Sequence, residues 1–153
     1  MSAVHYWLMK SEPSSFSIED LRRRKIEPWD GVRNFQARNM LRDEMQKGDL
    51  AFFYHSSCAE PGIVGIMEIA RGGYPDPTAF DPMDHHFDPA SDPDKPRWYQ
   101  VDVRFKRKLR RVIALTELRS HKKLQGMQIL RRGNRLSITP VSKQEWDYIL
   151  NLE

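Results

Sequence analysis

The stretch VDVRFKRKL, residues 101–109, has a period of two. Val101, Val103, Phe105 and Leu109 alternate with Asp102, Arg104, Lys106 and Lys108, so a strand here buries one face and presents a largely basic one. A helix would scatter the same residues around its axis. The basic character extends beyond the strand: residues 104–135 hold twelve Lys or Arg against one acid, Glu117, a local balance of +11 on a chain whose net charge is +4. Residues 72–96 hold six Asp and one Lys, a balance of −5. So basic a block on a small domain points to a polyanionic partner, because each neutralised phosphate releases counterions. The plainer reading is a solvated charged surface.

Toward the N-terminus, VHYWLM at 4–9 is rich in β-favouring residues and apolar on both faces, which places it inside the fold. Ser17 heads a short helix with Asp20 at the capping-box position and Phe16 and Leu21 at staple positions, ending before Pro28. Asn34 caps a second helix that buries Ala37, Met40, Leu41 and Met45 and stops near Gly48. DLAFFY at 49–54 and GIVGIMEI at 62–69 form a strand pair, and residues 75–96, with six of the ten prolines, form a long loop. Beyond the basic strand, Thr116 is positioned to cap a short helix and residues 136–138 to form a last strand. Ser142 to Glu145 is a capping box with Val141 and Trp146 as its staple. Five or six strands interleaved with short helices, without regular alternation, predict an α+β fold: a small mixed β-barrel with helices packed outside.

At 153 residues, 39% apolar and rich in aromatics, the chain can bury one core, and a single domain over 1–153 is expected. No run approaches the ~20 apolar residues of a membrane helix, and MSAVHYWLMK lacks the pattern of a secretory leader. With Cys58 as the one cysteine, no intrachain disulfide can form; a cytoplasmic monomer is the expectation.

Trp7, Trp29, Tyr54 and His55 stand beside polar groups: Lys10 and Ser11, Asp30 and Asn34, Ser56 and Ser57. Flat apolar walls with nearby donors and acceptors suit a nucleobase. A lone Trp is more often core, but Pro28, Asp30 and Gly31 mark Trp29 as a loop residue. Arg33, Arg104, Lys106, Lys108, Arg110, Arg131, Arg132 and Arg135 are the candidate phosphate contacts, carrying no sequence code. His55 and Cys58, three apart, do not make a nucleophile–base pair by spacing alone. His85 and His86 with Asp81, Asp84 and Asp88 lack the spacing of zinc motifs, so neither metal nor cofactor is expected. No GxGxxG, P-loop or HExxH string occurs.

Seven blocks occur in order: YWLMKSEP (6–13), WDGVRNFQARNML (29–41), GDLAFFYHS (48–56), GIVGIMEI (62–69), DPTAFDP (76–82), PRWYQVDV (96–103) and ILRRGNRLSITPVSKQEW (129–146). Together they resemble the EVE domain family over nearly the whole chain. The resemblance implies a PUA-like fold and a reader of modified bases in DNA or RNA, without cofactor or catalysis. It places a pocket on Trp7, Lys10, Ser11, Trp29, Asp30, Val32, Asn34, Tyr54, His55 and Ser56, with Trp98 and residues 130–137, Ser137 included, at the rim. His85-His86-Phe87 departs from the family pattern, which carries tyrosines before the Asp-Pro. Two rivals stand beside this reading. One is an amidohydrolase of the related ASCH type using Lys10, Ser11 and Glu12; the other is a protein-interaction module built on the acidic loop.

Overall fold

The computed structural model describes residues 3–153. Six strands make one mixed sheet in the order β2-β5-β4-β3-β1-β6. They are β1 (Tyr6–Ser11), β2 (Ile26–Trp29), β3 (Leu50–His55), β4 (Gly62–Pro75), β5 (Tyr99–Ala114) and β6 (Ile138–Val141). β1 and β3 run parallel and every other pairing is antiparallel. The fold is α+β and PUA-like. β2 and β6 remain edges, and no ladder joins them among the described residues, so the small mixed β-barrel takes the form of an open six-stranded sheet.

Alternation along the inner strands sorts the core into two. Trp7 and Met9 of β1 and Ala51 and Phe53 of β3 face one cluster. It is closed by Leu21 of α1 (Ile18–Arg24) and by Ala37 of α2 (Phe35–Asn39), together with Leu41 from the π-helical turn Met40–Glu44 that continues α2. Leu8, Phe52 and Tyr54 face the other cluster, closed by Leu118 of α3 (Leu115–Ser120) and by Trp146 and Ile149 of α4 (Lys143–Leu150). Trp146 stacks on Phe52 at 3.9 Å between ring centres. Both expected capping boxes form, at Ser17/Asp20 and Ser142/Glu145, and Asn34 caps α2 through Ala37 N at 2.9 Å.

Three expectations fail for physical reasons. Trp29, expected in a loop beside Pro28, ends strand β2; the strand is an edge, where a missing N–H breaks no ladder. β4 runs on to Pro75 because Gly73 passes against the chain after α2, where a Cβ would collide with the Leu41 carbonyl. Thr116 caps nothing: α3 begins at Leu115, with Ala114 at its N-cap and no side-chain bond.

Candidate nucleic-acid interface

The ends of β1 and β2 and the start of α1 enclose a recess of about 160 Å³ lined by Lys10, Ser11, Phe16, Glu27, Pro28, Trp29 and Asp30. That is below the ~300 Å³ of a typical small-molecule pocket, a size for one planar ring rather than a whole nucleotide. Trp29 is held edge-on to Phe53 at 5.5 Å and is only 8% exposed. The Ser11 hydroxyl donates to the Phe16 carbonyl at 2.6 Å, and the Ser56 N–H donates to the Ser11 carbonyl at 3.0 Å. Partial burial lowers the pKa of the Lys10 ammonium. Partial burial, reinforced by the negative charge of Asp76, raises that of the Asp30 carboxyl at the rim. One cation and one anion therefore stand at the same opening.

His55, expected in the pocket, does not line the recess but packs on Phe53, the ring that Trp29 also meets. Its ring meets Phe53 edge-on at 5.5 Å, and its Nε2 accepts the Ile18 N–H at 3.1 Å, satisfying a donor at the start of α1. Acceptance at Nε2 requires the neutral ring, which burial, aided by the charge of Lys108, favours by lowering the pKa.

The other expected pocket residues are dispersed. Trp7 is 3% exposed and donates to the Asp49 carboxylate at 3.0 Å, lining a separate recess near the chain start with Tyr6 and Pro140. Tyr54 lies on the opposite face of the sheet, in the cluster around Trp146. Val32 is core. Asn34 is engaged as the α2 cap and borders a third depression, with Gln36, Gln128, Arg131, Arg132 and Arg135. Trp98 is buried, donates to Asp88 at 2.6 Å and stacks on the half-exposed Phe35 at 4.8 Å. Ser137 accepts the Lys10 N–H at 2.8 Å, which joins the arginine loop to the recess. Phe16, Glu27 and Pro28 line the recess without having been singled out; the signal for Phe16 was its staple position, which faces back toward the chain before the helix.

The basic face is less free than its local count suggests. Arg104 pairs with Glu68 at 3.0 Å, Arg107 with Glu153 at 2.5 Å, Arg111 with Glu117 at 2.6 Å and Lys108 with Glu19. Among the described residues Lys106, Arg110, Arg131, Arg132 and Arg135 have no carboxylate partner, the last three on one loop.

The Arg33 guanidinium, expected at phosphate, is engaged within the fold. It donates to the His86 carbonyl at 2.8 and 3.1 Å, to the Val32 carbonyl at 3.0 Å, to Asp76 at 3.1 Å and to Thr78 at 3.1 Å. Burial pushes the Asp76 carboxyl up, but hydrogen bonds from Thr78, Gly31 and Arg33 outweigh it and hold its pKa low. Four of the five other loop aspartates are turn formers. Asp81, Asp84, Asp88 and Asp92, like Asp76, each accept the backbone N–H two residues on, from Met83, His86, Ala90, Asp94 and Thr78 respectively. The acidity of this loop therefore has a local structural cause. Neither His55 nor Ser11 shares a hydrogen bond with Cys58 or Lys10 that would prepare a nucleophile.

Residues 5–152 match the EVE domain family. Human thymocyte nuclear protein 1 is 48% identical over 166 residues, covering 97% of this chain and 73% of the relative. A crystal structure of a Pseudomonas syringae protein is 48% identical, with a TM-score of 0.93 over 96% of this chain and 98% of that one. The human THYN1 protein, solved in complex with 5-methylcytosine-containing DNA, is 46% identical, with a TM-score of 0.91 over 97% of this chain and 96% of that one.

Proposed function

The chain belongs to the EVE domain family, and from that membership we propose that it is a non-catalytic nucleic-acid-binding domain that receives one modified nucleobase in the Trp29 recess. The observation that carries this reading is the recess itself, ring-sized, walled by Trp29 and Phe16 and edged by Lys10 and Asp30. A nucleobase offers π-faces to the wall, and both donors and acceptors to a cation and an anion at the mouth. The arginine loop, tied to β1 through Ser137 and Lys10, supplies the backbone contacts. The structural relative bound to 5-methylcytosine-containing DNA makes that modification the first ligand to test.

Catalysis has little support in the geometry. Glu12 is exposed and lies outside the recess, so Lys10, Ser11 and Glu12 do not meet there. The Ser11 proton is donated to a backbone carbonyl rather than to a base.

The test is a fluorescence titration of the full chain with matched DNA and RNA oligonucleotides, each with and without 5-methylcytosine. Tighter binding of a modified strand, with the preference lost in Trp29→Ala, is expected. A preference that survives in Trp29→Ala would place the site elsewhere. Release of acetate from N4-acetylcytidine would replace the reader with an amidohydrolase.

A further inference from the structure

The proposed base site makes no use of the adjacent histidines on the loop between β4 and β5. Asp84 Oδ1 lies 3.7 Å from His85 Nδ1 and 3.2 Å from His86 Nδ1, and the three ligand atoms all fall within 4.8 Å of one another. Donor atoms around a tetrahedral ion with bonds of ~2.0–2.1 Å stand ~3.3 Å apart, between the two separations seen here. His86 Nδ1 is buried without a hydrogen-bond partner. The Asp84 carboxylate stands 3.2 Å from it without making a hydrogen bond to it. A buried nitrogen in that state is costly unless something completes it.

We propose that Asp84, His85 and His86 bind a divalent transition-metal ion of the zinc class, with water in the remaining position. Two imidazoles and one carboxylate select Zn²⁺ and its neighbours over Mg²⁺ or Ca²⁺, which favour oxygen ligands. Two of the ligands are already oriented. The His86 ring is seated on Gly31, where a Cβ would come within 2.5 Å of it, and the His86 carbonyl is held by Arg33 at 2.8 Å. Asp84 is fixed by the His86 N–H at 2.8 Å. His85, 84% exposed, is the ligand that swings to close the set. The sequence lacks the spacing of zinc motifs, but this turn brings both Nδ1 atoms within 3.7 Å of one carboxylate oxygen. The ion would brace the long loop against the turn that carries Asp30, since His86 packs on Gly31 and the Gly31 N–H is bonded to Asp76 at 2.8 Å.

The experiment is calorimetric titration of the full chain, freed of metal by a chelator, with Zn²⁺, and an absorption titration with Co²⁺. Uptake of one ion per chain, with the intense visible bands of four-coordinate Co²⁺, is expected. His85→Ala and Asp84→Asn should each weaken uptake at least about tenfold, while His121→Ala, a histidine hydrogen-bonded to Tyr148 elsewhere, should not. His85 is so exposed that its loss does not threaten folding. Absence of saturable uptake, or uptake indifferent to both variants, would leave Asp84 with a simple histidine ion pair and overturn the proposal. No nucleic acid is present, so the result is independent of the base-reading test.

Discussion

Replacing Arg33 by alanine separates a phosphate contact from a structural clamp. The side chain is 22% exposed and its partner Asp76 fully buried, so removing the guanidinium strands a carboxylate in the interior. Breaking a buried pair costs ~3–5 kcal/mol. Asp76 still accepts from Gly31 N, Thr78 N and Thr78 Oγ1, all within 2.8 Å, which holds the loss to ~3 kcal/mol, the low end of that range. For a chain of this length that lowers the Tm by ~6–12 °C. Arg33→Lys keeps the charge but not the five-donor fork, and should recover less than half of the loss. The pH dependence has a definite sign. The folded Asp76 pKa is depressed below 3.8, so its contribution is complete above that pH and fades as pH falls through the folded value. The gap between wild type and variant should therefore narrow in acid. Urea denaturation across pH, with the salt dependence of oligonucleotide binding measured well below the melting range, tests this. Unchanged stability together with a slope for log K against log salt reduced by about one would return Arg33 to the phosphate set.

Three further outcomes follow from specific contacts. Arg132→Ala should reduce the salt slope of DNA binding by ~0.9, whereas Lys108→Ala, whose charge is paired with Glu19, should leave it unchanged in the same filter-binding series. Because the His55 pKa lies below its ordinary 6.5, its hydrogen bond to Ile18 contributes fully above that pH and is lost as pH falls through the folded value. Thermal melts should accordingly show a smaller decline from pH 7 to 5 in His55→Ala than in wild type. Gly31→Ala must hold φ near +77° and push aside the His86 ring; the backbone alone costs ~1–2 kcal/mol, and denaturant melts should show at least that loss.

How far the sequence is legible depends on how local each cause is. β5 and both capping boxes could be read because alternation and caps act over two or three residues. β2 could not, because Pro28 is compatible with a strand only at an edge, and edge position belongs to the whole sheet. The same limit governs the site. Tyr54 and His55 look like one patch in sequence, yet neighbours on β3 point to opposite faces, Tyr54 to the Trp146 cluster and His55 toward Phe53. Trp7 and Trp29 are alike in composition; pairing puts Trp7 over Asp49 and Trp29 beside Lys10 and Ser11. The +11 count was correct as arithmetic and misleading as electrostatics, since Glu19, Glu68 and Glu153 reach the basic face from 36 to 89 residues away.

The loss of Trp7 and Tyr54 from the recess changes the energetics of the proposed reading. Extracting a base costs a few kcal/mol, and each stacked aromatic returns ~1–3 kcal/mol, so Trp29 and Phe16 together offset extraction without margin. A buried methyl adds only ~0.8 kcal/mol, near fourfold in affinity. The remainder must come from the cations, three of which share the loop behind Ser137. Those arginines alone imply a salt slope of ~−2.7, hence a fall in affinity of ~40-fold between 50 and 200 mM salt. The methyl is uncharged, so it contributes nothing to that slope. The ratio of modified to unmodified binding should stay constant across the series while both affinities fall together. A ratio that collapses with salt would mean that the preference resides in how the backbone is held, not in what fills the recess.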